Sequence, residues 1–267
     1  MAALHNEDMS VNFSSAVGVN SFLEHLTRCS DIASKQVERI SLNIDTLQES
    51  LPPFECEMEM GKNCLVQQYL KYNDIKLKKM SVELYNDSTI YGEGMLQGIN
   101  AFGTKVDTVS ARLKQVGKYL GYRLHMGNRP GTMDNFANVT LWGGVLGSRL
   151  TTIYDAKDIR NRTGYHFGTH TDVNDSIVQL NIFTDKPRIG YREWTVNEGN
   201  YVKYNYKDQH LDANLRLDGG NSGFINLFTE HVDGEHDDDD GHKHQEDVNL
   251  QVKGVKIEEW VSMFPFA

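Results

Sequence analysis

The sequence predicts an α+β protein: N-terminal coiled-coil-like helices, a β-hairpin and an irregular glycine-rich middle, and a C-terminal antiparallel β-sandwich or jelly roll. Three observations carry this expectation. Apolar residues between positions 26 and 51 recur every three or four residues, the spacing of a helical seam. Glycines punctuate the stretch 122–175, which shows no clear period. From about residue 176 apolar and polar residues alternate, the period of half-buried strands.

The first element is a helix over 19–51. Leu26, Val37, Ile40, Ile44, Leu47 and Leu51, with Cys29 and Ala33 between them, form a narrow seam. A narrow seam meets another helix more readily than a sheet. Ser21 and Glu24 make a capping box at its start, and Pro52-Pro53 stops it because proline cannot donate the helical hydrogen bond. A hairpin follows over about 75–91. Met80, Val82 and Leu84 alternate with polar residues, and Asn86-Asp87-Ser88 turns the chain back. Residues 102–120 predict a second helix, with Val106, Val109, Leu113 and Val116 spaced by three and four between Phe102 and Leu120. These elements make up a helical region, 1–121, whose seams serve oligomerisation.

Residues 122–175, with Gly127, Gly131, Gly143, Gly144 and Gly147, read as an irregular connector. Residues 176–267 read as a β-sandwich domain of short strands joined by tight turns. Within it, 233–246 is an acidic, histidine-rich loop that is too polar to enter a core.

Composition narrows the function classes. The chain has 267 residues, 39% hydrophobic and 24% charged, with a net charge of −10. Such an acidic balance argues against nucleic-acid binding, which draws its affinity from phosphate neutralisation. No apolar run reaches the ~20 residues a membrane helix needs, and residues 1–17 lack the pattern of a signal peptide. Three cysteines, Cys29, Cys56 and Cys64, are too few for a disulfide framework.

Two clusters are candidates for metal chemistry. In the acidic loop, His236, Asp238, Asp240, His242 and His244 offer carboxylates for a hard divalent cation and imidazoles for a softer one. No calcium-loop spacing is present, so no cofactor is expected beyond such a cation. The second cluster is His170-Thr171-Asp172. This triplet resembles the HxD half of the iron site in the 2-oxoglutarate-dependent oxygenases. The resemblance implies an Fe(II) held by His170, Asp172 and a distal histidine, for which His231 is the candidate. No basic residue follows His231 closely enough to hold 2-oxoglutarate, apart from Lys243 inside the acidic loop. Serine-hydrolase elbows, phosphate-binding loops and zinc-protease motifs are absent from the sequence. Trp194, Tyr204 and Tyr206 offer an aromatic platform for a sugar if they share an exposed face, which makes a carbohydrate-binding attachment module one alternative.

The layout of helical seam, glycine-rich middle and β-sandwich resembles that of virion components, the fibre, baseplate and neck proteins of tailed bacteriophages. That likeness implies a structural assembly protein of a virus particle. It would work through subunit contacts with copies of itself and other structural proteins, in the virion or otherwise in the cytoplasm. The oxygenase and the glycan-binding module stand as its alternatives.

Overall fold

In the computed structural model of the chain, the residues described are 2–6, 9–18, 20–21, 24, 53–61, 64–87, 89–101, 104–128, 136–174, 176–230, 247–256 and 258. The described structure is 69% strand. The first strands are β1 (Ala2–Asn6), β2 (Met9–Ser15), β3 (Phe54–Met60), β4 (Ile75–Lys76), β5 (Lys79–Asn86) and β6 (Ile90–Ala101). The middle holds β7 (Thr104–Val116), β8 (Tyr119–Gly127), β9 (Phe136–Leu146), β10 (Arg149–Asp158) and β11 (Thr163–Val173). There follow β12 (Ile177–Ile182), the short β13 (Arg188–Ile189), β14 (Arg192–Glu193) and β15 (Thr195–Val196), then β16 (Tyr201–Asn205), β17 (His210–Asp218), β18 (Phe224–Glu230) and β19 (Asp247–Lys253). One helix of eight residues, α1 (Leu65–Tyr72), packs against β4.

All of these strands join one sheet, and every pairing is antiparallel. Apart from short β4, which pairs with β6 while β3 pairs with β5, and a small detour at β13–β15, each strand pairs with its neighbours in sequence, so the chain runs up and down in single file from β1 to β19. At ~4.8 Å per strand the file is roughly 65 Å long.

The predicted fold class is overturned: one meandering sheet replaces the coiled-coil-like helices and the separate sandwich. The second predicted helix is strand β7. Val106, Val109, Leu113 and Val116 do fall at helical spacing, but Val109, Ala111 and Leu113 also alternate with Thr108, Ser110, Arg112 and Lys114. That period-two phase prevails, because β7 gains a hydrogen-bonded partner on both sides, β6 and β8. A helix would leave those neighbours unpaired. Gly117 is not a flaw in a helix but the first residue of a two-residue hairpin turn, with φ +58°. Gly147, φ +60°, plays the same part between β9 and β10.

The irregular connector is likewise corrected, since 119–127, 136–146, 149–158 and 163–173 are strands, paired in constant register but for shifts at Ala156–Asp158 near the end of β10. Nor does a second sheet close a sandwich over β16 to β19: Val248, Leu250 and Val252 are 46%, 65% and 56% exposed. Leu26, Val37, Ile40, Ile44, Leu47 and Leu51 lie outside the described residues.

Candidate functional site

The register sorts side chains onto two faces, one free of charge through its central rows and one that carries the charged residues. Across nine consecutive strands, Met9, Met60, Met80, Leu96, Val109, Met126, Val139, Ala156 and Tyr165 stand side by side in one row. The next row on that face runs Val11, Met58, Val82, Gly94, Ala111, Leu124, Leu141, Tyr154 and Phe167. Neither row contains a charged residue. The face continues through Leu180, Val202 and Ala213, and through Leu215, Leu227 and Leu250 to the last strand.

The opposite face carries the charges. One of its rows reads Asn12, Glu57, Glu83, Glu93, Arg112 and Arg123, then turns apolar at Trp142 and Ile153. There Arg112 donates to Glu93 at 2.7 Å and the Tyr91 hydroxyl donates to the same carboxylate at 2.5 Å. Arg112 and then Tyr91 hold the Glu93 carboxyl below its usual range. Between Glu57, Glu59, Glu83 and Glu93 lies an open hollow of about 310 Å³.

Most of the apolar face is half-buried. Leu84 and Leu124 remain 39% and 46% exposed. Among the described residues the face is buried in places: at Met60, 1% exposed, at Leu120, Ala213 and Leu217, and at one corner around Ala156 and Tyr165. The segment after β12 folds so that Ile189 and Tyr191 pack with Tyr154 and Phe167 around Ala156 and Tyr165. Burial, with Tyr154 and Tyr191 nearby, pushes the Tyr165 phenol up to about 12. Trp194 is fully buried at the same corner and donates its indole N–H to the Ile189 carbonyl at 3.1 Å.

The sequence-derived candidates fall in different places. His170 and Asp172 lie two residues apart on β11, both on the polar face. Asp172 is gripped by Arg149, whose Nε and Nη2 donate to its two oxygens at 2.8 and 3.0 Å. Arg149 holds its carboxyl below the usual range. His170 stacks on Phe183 with ring centroids 4.3 Å apart, and its Nδ1 lies 3.0 Å from Thr151 Oγ1. Both side chains are thus occupied by protein groups. His231 and the loop residues His236, Asp238, Asp240, His242 and His244 lie outside the described residues. Among the described residues no three His, Cys, Asp or Glu side chains cluster as a metal site.

Of the aromatic trio, Tyr204 and Tyr206 are 41% and 45% exposed, but Trp194 is 1% exposed and offers no platform to a sugar. Val106 is buried and Val116 is 62% exposed, while Val109 and Leu113 share the apolar face. No described helix is long and apolar enough to cross a membrane.

Sequence reasoning missed the apolar face of β3 to β11. The signal was present in Phe54–Met60, where Phe, Cys and two Met alternate with Glu at every second position. No family model, curated protein or solved structure matches the chain.

Proposed function

We propose that the chain is a binding scaffold that shelters extended hydrocarbon chains, of the kind carried by lipids, along the apolar face of its sheet. One observation carries this reading: uncharged apolar rows run without interruption from β2 to β11 on a face that continues to β19, and among the described residues no second layer packs over most of it. A water-soluble sheet normally covers such a face with helices or another sheet. A large uncovered apolar surface marks a binding surface.

A hydrocarbon occupant suits the composition of the rows. They offer no ion-pair partner, and Met58, Met80 and Met126 supply flexible, polarisable side chains that adapt to a ligand without fixed shape. Burying ten methylenes at about 0.8 kcal/mol each supplies roughly 8 kcal/mol, before the cost of ordering the ligand. The virion reading loses its architectural basis, because the layout that resembled fibre, baseplate and neck proteins is not the one found.

The test is binding of a fluorescent fatty acid to delipidated full-length protein, with mass spectrometry of lipids that co-purify. Saturable binding is expected. Leu124→Asp and Leu141→Asp, a directly opposed pair on the apolar face, should each abolish it. Arg123→Asp, on the other face of the same strand as Leu124, should leave it intact. Absence of binding, or equal loss in the Arg123 variant, rejects the proposal.

A further inference from the structure

We propose that β19 is a homotypic pairing edge, through which a second copy of this chain extends the sheet across a two-fold axis at Leu250. Among the described residues nothing pairs with the outer side of β19, which is bonded to β18 alone. An edge strand of seven residues presents a row of free backbone donors and acceptors. Its sequence, Asp-Val-Asn-Leu-Gln-Val-Lys, has an unusual property. Paired antiparallel with itself about Leu250, it sets Asp247 against Lys253 of the second copy at both ends. Val248 then meets Val252, and Asn249 meets Gln251. Opposite charges and matched apolar residues directly across an antiparallel ladder are the favourable arrangement.

Two further observations fit this occupant. On its inner side Asp247 stands opposite Glu230, a like-charge pair, so a lysine arriving on its outer side relieves repulsion. Val248, Leu250 and Val252 are 46–65% exposed, whereas Ala213 and Leu217 on β17, on the same face, are 3% and 7% exposed. Pairing about an axis normal to the sheet keeps like faces together, so the apolar face continues unbroken into the second copy. The inference does not depend on what occupies that face.

Sedimentation of delipidated full-length protein across the micromolar range tests it. A concentration-dependent dimer is expected, with amide exchange at 247–253 slowing as dimer forms. Lys253→Asp places an acid against Asp247 twice per dimer and should weaken it by about tenfold or more. Asp247→Lys should do the same. The double exchange, Asp247→Lys with Lys253→Asp, restores both pairs and should restore the dimer. Circular dichroism checks that each variant is folded. A chain that stays monomeric overturns the proposal. So does a dimer indifferent to the single variants, or a loss that the double exchange does not rescue. Because no ligand is present, these results leave the hydrocarbon-binding proposal to its own test.

Discussion

The corner formed by residues 183–200 and the ladder of long strands from β5 to β11 are held together in different ways. The corner has a small core: Trp194 and Pro187 are fully buried, and Asn200 is 8% exposed. The Asn200 side chain accepts from the Ile182 N–H at 2.8 Å and donates to the Ile182 carbonyl at 2.9 Å, fastening a loop to the end of β12. The ladder has long strands but few buried side chains. Its cohesion comes from backbone hydrogen bonds, cross-strand pairs and the turns that fix register. A single chain thus contains a region stabilised by burial and a region stabilised by pairing, and substitutions should report which is which.

The largest effect is expected at the corner. Trp194→Ala empties a filled site and should cost about 3–5 kcal/mol in a urea denaturation experiment. Leaving the urea midpoint unchanged would break the contrast. Asn200→Ala strands the Ile182 N–H and carbonyl and should cost about 1–3 kcal/mol by the same measurement.

In the ladder the turns should matter more than the faces. Asp158 closes the β10–β11 turn, accepting from the N–H groups of Arg160 and Arg162 at 2.9 Å and from Arg162 Nε at 2.8 Å. Burial pushes its carboxyl up, but these donors and the Arg162 charge outweigh burial and hold it below its usual range. A folded-state pKa below the unfolded value of about 3.9 stabilises the fold above that value. That contribution disappears as pH falls through the folded pKa. Acid titration of stability should therefore show a loss below about pH 4 that is diminished in Asp158→Asn.

Gly147→Ala forces a left-handed turn residue to carry a Cβ, which meets no neighbour but is strained at φ +60°. It should cost about 1 kcal/mol. The smallest change belongs to the bare face. Leu124→Ala, at a residue 46% exposed, should stay within about 0.5 kcal/mol. A loss of several kcal/mol there would mean that the face is covered.

The sequence made strand phase more legible than architecture. The alternation predicts Val202, Leu215, Leu217, Leu227, Leu250 and Val252 facing inward in one β core; they share a face, but Leu250 and Val252 are 65% and 56% exposed, so no core encloses them. What alternation alone could not say is whether that side meets a second layer. The same pattern serves a sandwich and an open sheet, and only the exposure of β19 separates them.

The glycine-rich middle misled for a specific reason. Glycine in a strand costs order, yet Gly144 and Gly168 are places where an aromatic ring lies on the backbone. A Cβ at Gly144 would sit 2.4 Å from the Tyr119 ring, and one at Gly168 would sit 2.3 Å from that of Phe183. Aromatic rings laid over strand glycines shield them and help pin register, a tertiary compensation invisible along the chain. His170 and Asp172 were legible as a polar pair on one strand face. Their partners, Thr151 and Arg149, come from the adjacent strand and were not.

The single-file order of the strands carries a mechanical consequence. In this sheet each long strand adheres mainly to the one before it and the one after it. Tension applied to the two ends of the chain therefore loads the ladders one at a time, as in opening a zipper, instead of shearing many hydrogen bonds together. Each peeled strand of β7 to β11, 9–13 residues at ~3.4 Å apiece, releases roughly 30–45 Å of contour. An optical trap should record a train of short, low-force steps, interrupted by one stiffer event where Trp194 anchors the corner.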